Sequence, residues 1–131
     1  MYINPELYIF EGLTSDEVNY FALMCEPIDF DSGAMVMREG SESDGRAFFI
    51  ESGEAEVIQN GKVVTTLKTG DIFGEIALIT NDARSASIRA KSGLQVLALH
   101  RDDFLMIAKK SGRFPQIQKE IFRRIRENFI K

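Results

Sequence analysis

The sequence predicts an α+β fold in which short β-strands form a sandwich or a barrel between helices at the two ends of the chain. Near both ends, apolar residues recur at three- and four-residue steps, as they do in amphipathic helices. From residue 28 to residue 100 they occur instead in short runs that are broken by glycines. Strands at such regular spacing are typical of a sandwich or a barrel.

The first helical region covers about residues 5–26. Thr14 or Ser15 is the expected N-cap, because a hydroxyl there accepts a hydrogen bond from a free backbone N–H group, and Glu17 follows in the first turn. Pro27 is expected to end the helix. The apolar stripe of this helix consists of Val18, Phe21, Ala22 and Cys25.

The β region covers about residues 28–100. The runs that predict strands are AMVMR, AFFIE, EAEVIQ, KVVTTLK, ASIRAK and LQVLALH. Asn60-Gly61 lies between two of these runs and predicts a type I′ hairpin, in which both central residues have positive φ. The adjacent Phe48 and Phe49 are expected in the core.

Two helices are expected over about residues 101–130. Asp102 or Asp103 is the expected N-cap of the first helix, and Ser111-Gly112 its end. Pro115 lies near the start of the second helix, where its missing N–H group is not needed. The second helix carries an apolar stripe, which is broadened by Phe122 and consists of Phe114, Ile117, Ile121, Ile125 and Phe129.

The composition predicts one globular domain, residues 1–131, in the cytoplasm. Hydrophobic residues make up 44% of the chain and charged residues 27%. No membrane insertion is expected, since no window is apolar over the roughly 18 residues that a spanning helix needs. The N-terminus also lacks the pattern of a signal peptide, and the single Cys25 cannot form an internal disulfide.

Charge and residue counts argue against several classes of function. The net charge of −4 disfavours a nucleic-acid partner, although residues 113–131 carry 6 bases and 2 acids. With one histidine, His100, and one cysteine, the sequence lacks the ligand set of a metal site such as that of a cupin-type enzyme. The same counts leave no Cys-His or Ser-His pair at a sensible spacing. We therefore predict no catalytic residue, no metal and no cofactor.

The segment GDIFGEIALITNDARSASIRA, residues 70–90, carries two isolated charges. Glu75 precedes an apolar run, and Arg84 follows Glu75 by nine residues. One helical turn is expected to begin at Gly74, where free N–H groups favour an anion. Arg84 then suits a phosphate, whereas Glu75, an acceptor, suits a sugar hydroxyl. On the residues alone, an ion pair between Glu75 and Arg84 is an equal alternative.

This segment resembles the phosphate-binding cassette of the cyclic nucleotide-binding domain family, whose signature is approximately F-G-E-[IL]-A-L, a short loop and R-[STA]-A-[ST]. The matching residues are FGEIAL at 73–78 and RSAS at 84–87. REGSESDGRAFFIESGEAEVI and TLKTGDIFGE also follow the family's pattern, so that the resemblance, with the terminal helices, covers essentially the whole chain. Ala83 departs from it, since many members have proline there. The resemblance implies an antiparallel β-roll, a double-stranded jelly-roll-like barrel, with flanking N-terminal and C-terminal helices.

The resemblance also implies a ligand, cAMP or cGMP. In this assignment Glu75 binds the ribose 2′-hydroxyl and Arg84 binds the cyclic phosphate. Ser85 stands where a threonine favours cGMP in the family, and it inclines the prediction towards cAMP. The other expected ligand-binding residues are Phe73, Gly74, Ile76, Ala77 and Ala86. The last helix is expected to close over the base as a lid, with Ile121, Phe122 and Ile125 as the lid residues.

Two functions remain open at this point. The first is a cyclic-nucleotide sensor without catalytic activity, whose flanking helices move on binding and pass the signal to a separate effector protein. The second is a nucleotide-free scaffold of the same fold, which binds a partner protein through the apolar stripe of the last helix.

Overall fold

The computed structural model describes residues 2–127 and contains helices at both ends of this range. They are α1 (Ser15–Met24), α2 (Arg101–Lys110), α3 (Phe114–Arg126) and two short 3₁₀ helices, which we call the N-terminal turn (Tyr8–Phe10) and the cassette turn (Glu75–Leu78). The strands are β1 (Glu26–Phe30), β2 (Met35–Met37), β3 (Arg46–Ser52), β4 (Ala55–Gln59), β5 (Lys62–Leu67), β6 (Ile72–Phe73), β7 (Ser87–Ala90) and β8 (Leu94–His100). Within residues 2–127, no helix combines the length and apolar character that crossing a membrane requires.

The strands form two antiparallel sheets of four strands each. Sheet one has the order β1-β8-β3-β6, and sheet two has the order β2-β7-β4-β5. Together with the helices they form a β-roll, which confirms the predicted fold class, but the two sheets do not join into a closed barrel. The sequence runs did not identify β1, an edge strand that contains Pro27, or β6, which has only two residues.

Sheet one separates two hydrophobic cores. Because successive side chains of a strand point to opposite faces, Phe48 packs between the sheets whereas Phe49 packs against the helices. We call the first group the roll core; it includes Phe73, Ile88 and Val96. The second group is the helical core, which consists of Ile9, Phe10, Val18, Phe21, Cys25, Ala47, Phe49, Leu78, Leu97, Leu99, Phe104, Ile107, Ala108, Ile117 and Ile121. The expected burial of both phenylalanines is thus confirmed.

Most of the predicted local signals are present, with one exception. Thr14 caps α1, accepting a hydrogen bond from the Glu17 N–H group while the Glu17 carboxylate accepts one from the Thr14 N–H group. Asn60 and Gly61 have φ values of 52° and 77°, as the type I′ hairpin requires. The predicted cap of α2 was wrong: His100 is the N-cap, and its Nδ1 atom accepts from the Asp102 N–H group at 3.1 Å.

Two connections between the sheets meet at one end of the roll. The loop after β2 leads from sheet two to β3 in sheet one, and the segment of residues 74–86 leads back from β6 to β7. Their backbones are joined by two hydrogen bonds, from the Gly40 N–H group to the Arg84 carbonyl at 2.8 Å and from the Arg84 N–H group to the Ser41 carbonyl at 2.9 Å. These bonds fix the position of Arg84 relative to both sheets.

The tight turn between β3 and β4 gives a test of this architecture. Gly53 and Gly33 both have φ of +89°, but a Cβ atom at Gly53 would lie 2.1 Å from the Gly93 carbonyl oxygen, whereas one at Gly33 would meet nothing within 4 Å. Gly33→Ala should cost about 1–2 kcal/mol in the free energy of unfolding, because it forces alanine into the left-handed region. Gly53→Ala should cost about 1–3 kcal/mol more, because backbone must move. Urea unfolding of both variants measures the difference, and equal losses would contradict the packing at Gly53.

Candidate functional site

A narrow cleft lies where the two connections meet. It encloses about 230 Å³ of empty space, counting the part open to solvent. The lining residues are Met37, Ser43, Gly74, Ile76, Ala77, Asp82, Ala83, Arg84 and Ser85. The cleft thus brings together Gly74, Ile76, Ala77, Arg84 and Ser85 of the predicted ligand-binding residues.

Arg84 places a buried cation beside this cleft. Its side chain is only 6% exposed. The guanidinium donates to the Gly74 carbonyl at 3.3 Å and to the Arg46 carbonyl at 2.9 Å. Its carbon lies 6.0 Å from the centre of the Phe48 ring. Burial lowers the pKa of Arg84, while the charge of Asp44 opposes that shift. The result is a cation held in a fixed orientation, which suits recognition of a phosphate.

Asp44 is the acidic partner of Arg84. Its Oδ1 atom accepts from the Arg84 guanidinium at 2.8 Å, and its Oδ2 atom accepts from the Arg46 side chain at 2.7 Å. Burial alone would raise the pKa of Asp44, but the hydrogen bonds and charges of the two arginines lower it overall. The Asp44 side chain remains 48% exposed. A carboxylate at the edge of the cleft therefore neutralises Arg84 without being enclosed itself.

Gly74 allows the cassette turn to approach Arg84. Its φ is +74°, and a Cβ atom there would lie 3.0 Å from the Arg84 Nη1 atom and 3.3 Å from the Arg46 carbonyl oxygen. The Gly74 carbonyl accepts from the Ala77 N–H group at 3.2 Å, so the backbone amide of Ala77, an expected ligand-binding residue, already has a partner. The expected single helical turn after Gly74 is present as a 3₁₀ helix.

Phe73 and Ala86 lie on either side of the cassette turn and belong to the roll core. Phe73 stacks on Phe48 with ring centres 5.0 Å apart, and Ala86 is fully buried. Neither side chain lines the cleft. The structure therefore places these two predicted residues as supports beneath the cassette rather than at its surface.

Glu75 points away from the cleft into the helical side of the protein. It is only 2% exposed, and its Oε2 atom accepts a hydrogen bond from the Tyr8 hydroxyl at 3.0 Å. Burial raises the pKa of Glu75 to about 7, although the Tyr8 hydrogen bond and the charge of Arg124 oppose the rise. Burial and the adjacent Glu75 charge raise the pKa of Tyr8. Tyr8 therefore stays a hydrogen-bond donor.

The alternative of an ion pair between Glu75 and Arg84 does not describe the contacts of these two residues. Arg84 pairs with Asp44, and Glu75 bonds to Tyr8. Sequence reasoning missed both partners, since they lie 40 and 67 residues away along the chain. A carboxylate within SESDG, just before a predicted strand, was the one available signal for Asp44.

The three predicted lid residues do not line the cleft. Ile121 is fully buried in the helical core, and Ile125 packs against that core. Phe122 is 40% exposed on the outer side of α3. Within the predicted stripe, Phe114 and Ile117 also contact the helical core, while Phe129 lies outside the described residues. In this structure α3 is thus packed on the helical side of the protein.

Among residues 2–127, no group of three or more His, Cys, Asp or Glu side chains is placed to hold a metal ion. The lining of the cleft carries one basic side chain, Arg84, one acidic side chain, Asp82, and the hydroxyl groups of Ser43 and Ser85.

Comparison with known proteins identifies a family for this arrangement. Residues 27–111 match the family described as Cyclic nucleotide-binding domain. The chain is 36% identical over 100 residues to the cAMP-dependent protein kinase regulatory subunit of Schizosaccharomyces pombe, which covers 76% of this chain and 24% of that protein. It is 44% identical over 81 residues to the cGMP-dependent protein kinase of Eimeria tenella, covering 62% of this chain and 8% of that protein. The chain thus spans a quarter or less of the length of these relatives.

A solved structure shares both the fold and part of the sequence. The regulatory domain of Toxoplasma gondii PKA, co-crystallised with cAMP, superposes with a TM-score of 0.72 and 27% identity. The match covers 79% of this chain and 41% of that one.

The raised pKa of Glu75 predicts how the stability of the unliganded protein depends on pH. A carboxyl whose pKa is about 7 when folded and 4.5 when unfolded binds more protons in the folded state between these values. Its contribution to stability is therefore complete below about pH 4.5 and is lost as the pH rises through about 7. Glu75→Gln cannot ionise, so this variant should become steadily more stable relative to the parent over the same range.

Urea unfolding between pH 5 and 8 measures that difference, with Glu42→Gln at an exposed position as the control for the loss of one negative charge. If the parent and Glu75→Gln give parallel curves, burial does not raise the pKa of Glu75.

Proposed function

Because the chain belongs to the cyclic nucleotide-binding domain family, we propose that it is a regulatory module that binds cAMP in the cleft beside Arg84. The observation that carries the proposal is the buried guanidinium of Arg84, which lines the cleft together with Gly74 and Ser85. Packing alone does not account for a buried charge, because removing the charge from water is costly. It suits a ligand that brings a fixed anion.

In this proposal the cyclic phosphate takes the place of the Asp44 carboxylate at Arg84. Both groups are anions that accept charge-assisted hydrogen bonds from the guanidinium. Asp44 is half-exposed and also bonded to Arg46, so it has another cation when the phosphate arrives. The exchange would keep Arg84 neutralised in both states.

The sugar and the base are assigned to different groups. Glu75 binds the ribose 2′-hydroxyl, as an acceptor for an O–H donor. Ser85 lines the cleft at the position where a threonine would favour cGMP, and it therefore supports a preference for cAMP. Relatives of both kinds, a cAMP-dependent kinase regulatory subunit and a cGMP-dependent kinase, match this chain.

The response to binding is assigned to α3 and to a separate effector protein. Helix α3 packs on the helical core, which also contacts the cassette turn through Leu78. A change at the cassette can therefore alter the packing of α3, and a ligand shifts that balance only by its difference in affinity for the two positions. We assign no catalytic step to this chain, and we place it in the cytoplasm.

A nucleotide-free scaffold is the second candidate. Two observations favour it: Arg84 and Glu75 already have internal partners, and the surface of α1 and α2 exposes Tyr20, Leu23 and Met106. Such a scaffold would bind a protein through these exposed residues, because the stripe of α3 that was expected to bind the partner packs against the helical core, and it would leave the cleft unused.

Calorimetric titration with cAMP and cGMP decides between the two candidates. We expect saturable binding of cAMP, with cGMP weaker. Arg84→Ala should lower the affinity for cAMP tenfold to a hundredfold or more, for the loss of a charge-assisted hydrogen bond of about 1.5–3 kcal/mol. Arg89→Ala is the matched control, since Arg89 pairs with Glu56 on sheet two and does not line the cleft.

Circular dichroism on each variant verifies that it is folded before titration. If no cyclic nucleotide binds the parent protein, the scaffold replaces the sensor. Equal loss of affinity in the two arginine variants would remove Arg84 from the phosphate site.

Amide hydrogen exchange tests the assignment of α3. With saturating cAMP, exchange should slow in residues 114–126, because the bound ligand favours one docked position of the helix. Strand β8, in the middle of sheet one, serves as the internal reference. Unchanged exchange in α3 at saturation would make this helix a permanent part of the core and not a sensing element.

A further inference from the structure

The contact between Tyr8 and Glu75 holds Glu75 away from the position in which it would bind a ribose. Glu75 is the residue proposed to bind the ribose, yet it is only 2% exposed and does not line the cleft. Its carboxylate instead accepts the Tyr8 hydroxyl at 3.0 Å. A phenol and a ribose hydroxyl are both O–H donors, so each offers a carboxylate the same kind of hydrogen bond.

Tyr8 is itself held in place by α3. The Arg124 guanidinium lies over the Tyr8 ring, with its carbon 4.0 Å from the ring centre, which is a favourable cation–π geometry. Arg124 also donates to Glu120 at 3.2 Å on the same helix. The N-terminal turn, which carries Tyr8, thus bridges the cassette turn and α3 through side chains.

We infer that Tyr8 is an internal substitute for the ribose hydroxyl, which keeps Glu75 out of the cleft until a ribonucleotide binds. The inference rests on the proposed function and adds a residue that controls it. Because the carboxylate is enclosed on the Tyr8 side, a ligand hydroxyl can reach it only after Glu75 leaves Tyr8. A carboxylate has enough acceptor sites for two hydroxyl groups. The Tyr8 hydroxyl and the ribose hydroxyl compete because Glu75 cannot face Tyr8 and the cleft at the same time.

Release of Glu75 would also alter the contact between the N-terminal turn and α3. Once Tyr8 loses its acceptor, a polar hydroxyl is left in a half-buried site, and its burial without a partner is unfavourable. The phenol must then find water or another acceptor, which changes the surface on which Arg124 rests. Recognition of the ribose is thereby connected to α3 by two side-chain contacts, from Glu75 to Tyr8 and from Tyr8 to Arg124.

The test is Tyr8→Phe, which removes the competing hydroxyl and keeps the ring. The variant should bind cAMP about tenfold more tightly than the parent, because its unliganded state lacks the Tyr8–Glu75 hydrogen bond that the parent must break to bind the ligand. Its affinity for 2′-deoxy-cAMP should equal that of the parent, since this ligand has no hydroxyl with which to displace Tyr8. Tyr20→Phe, at a residue that is 57% exposed on α1, is the matched control and should change neither affinity.

A second measurement uses the parent protein alone and does not depend on how the variant folds. The chain has 3 tyrosines, so ¹³C labelling at their Cζ atoms gives few resonances, which Tyr→Phe variants assign. Saturation with cAMP should move the Tyr8 resonance, and saturation with 2′-deoxy-cAMP should leave it in place.

The outcomes separate this inference from the proposed function. If the parent binds cAMP while Tyr8→Phe binds it equally or more weakly, Tyr8 does not compete with the ribose, although the cleft remains a nucleotide site. A Tyr8 resonance that stays in place in the cAMP-saturated parent likewise rules out the competition. If the parent binds no cyclic nucleotide, the proposed function fails, and the role of Tyr8 fails with it.

Discussion

The attachment of Arg84 at both its backbone and its side chain is the interaction on which the site depends. Its peptide group is paired with the loop after β2 through Gly40 and Ser41, while its guanidinium binds carbonyls of Gly74 and Arg46. These partners belong to the loop between β2 and β3, to the start of the cassette turn and to β3 of sheet one. The backbone of Arg84 therefore helps to close one end of the roll, while its side chain holds a cation beside the cleft.

Glu75 and Arg84 are both buried, and each has its own partner. A direct pair between them would neutralise both groups but would leave neither free to meet a ligand. Separate partners avoid this: Asp44 neutralises the cation, and Tyr8 supplies a donor to the carboxylate. Under the proposed function, a nucleotide must therefore replace contacts that already exist. Selectivity follows from this requirement, since a ligand that replaces only one of the partners gains less.

Local features of the molecule were predictable from sequence, whereas contacts between distant segments were not. The cap at Thr14, the hairpin at Asn60-Gly61 and the cassette turn at Gly74 each depend on residues within a few positions of one another. Strands β1 and β6 were missed because one carries a proline that is tolerated only at a sheet edge and the other is too short to show a period.

The site shows the same division. Some residues of the motif line the cleft, whereas Phe73, Glu75 and Ala86 do not. The partners of Arg84 and Glu75 come from segments 40 and 67 residues away, and only the fold brings them together. Sheet one is apolar on both faces, with Phe48 on one side and Phe49 on the other. Any rearrangement of the helices is therefore confined to sliding or rotation along the sheet, since detachment would expose that face to water and invite self-association. A movement of the kind proposed for α3 would exchange one set of apolar neighbours for another and would leave the sheet covered throughout.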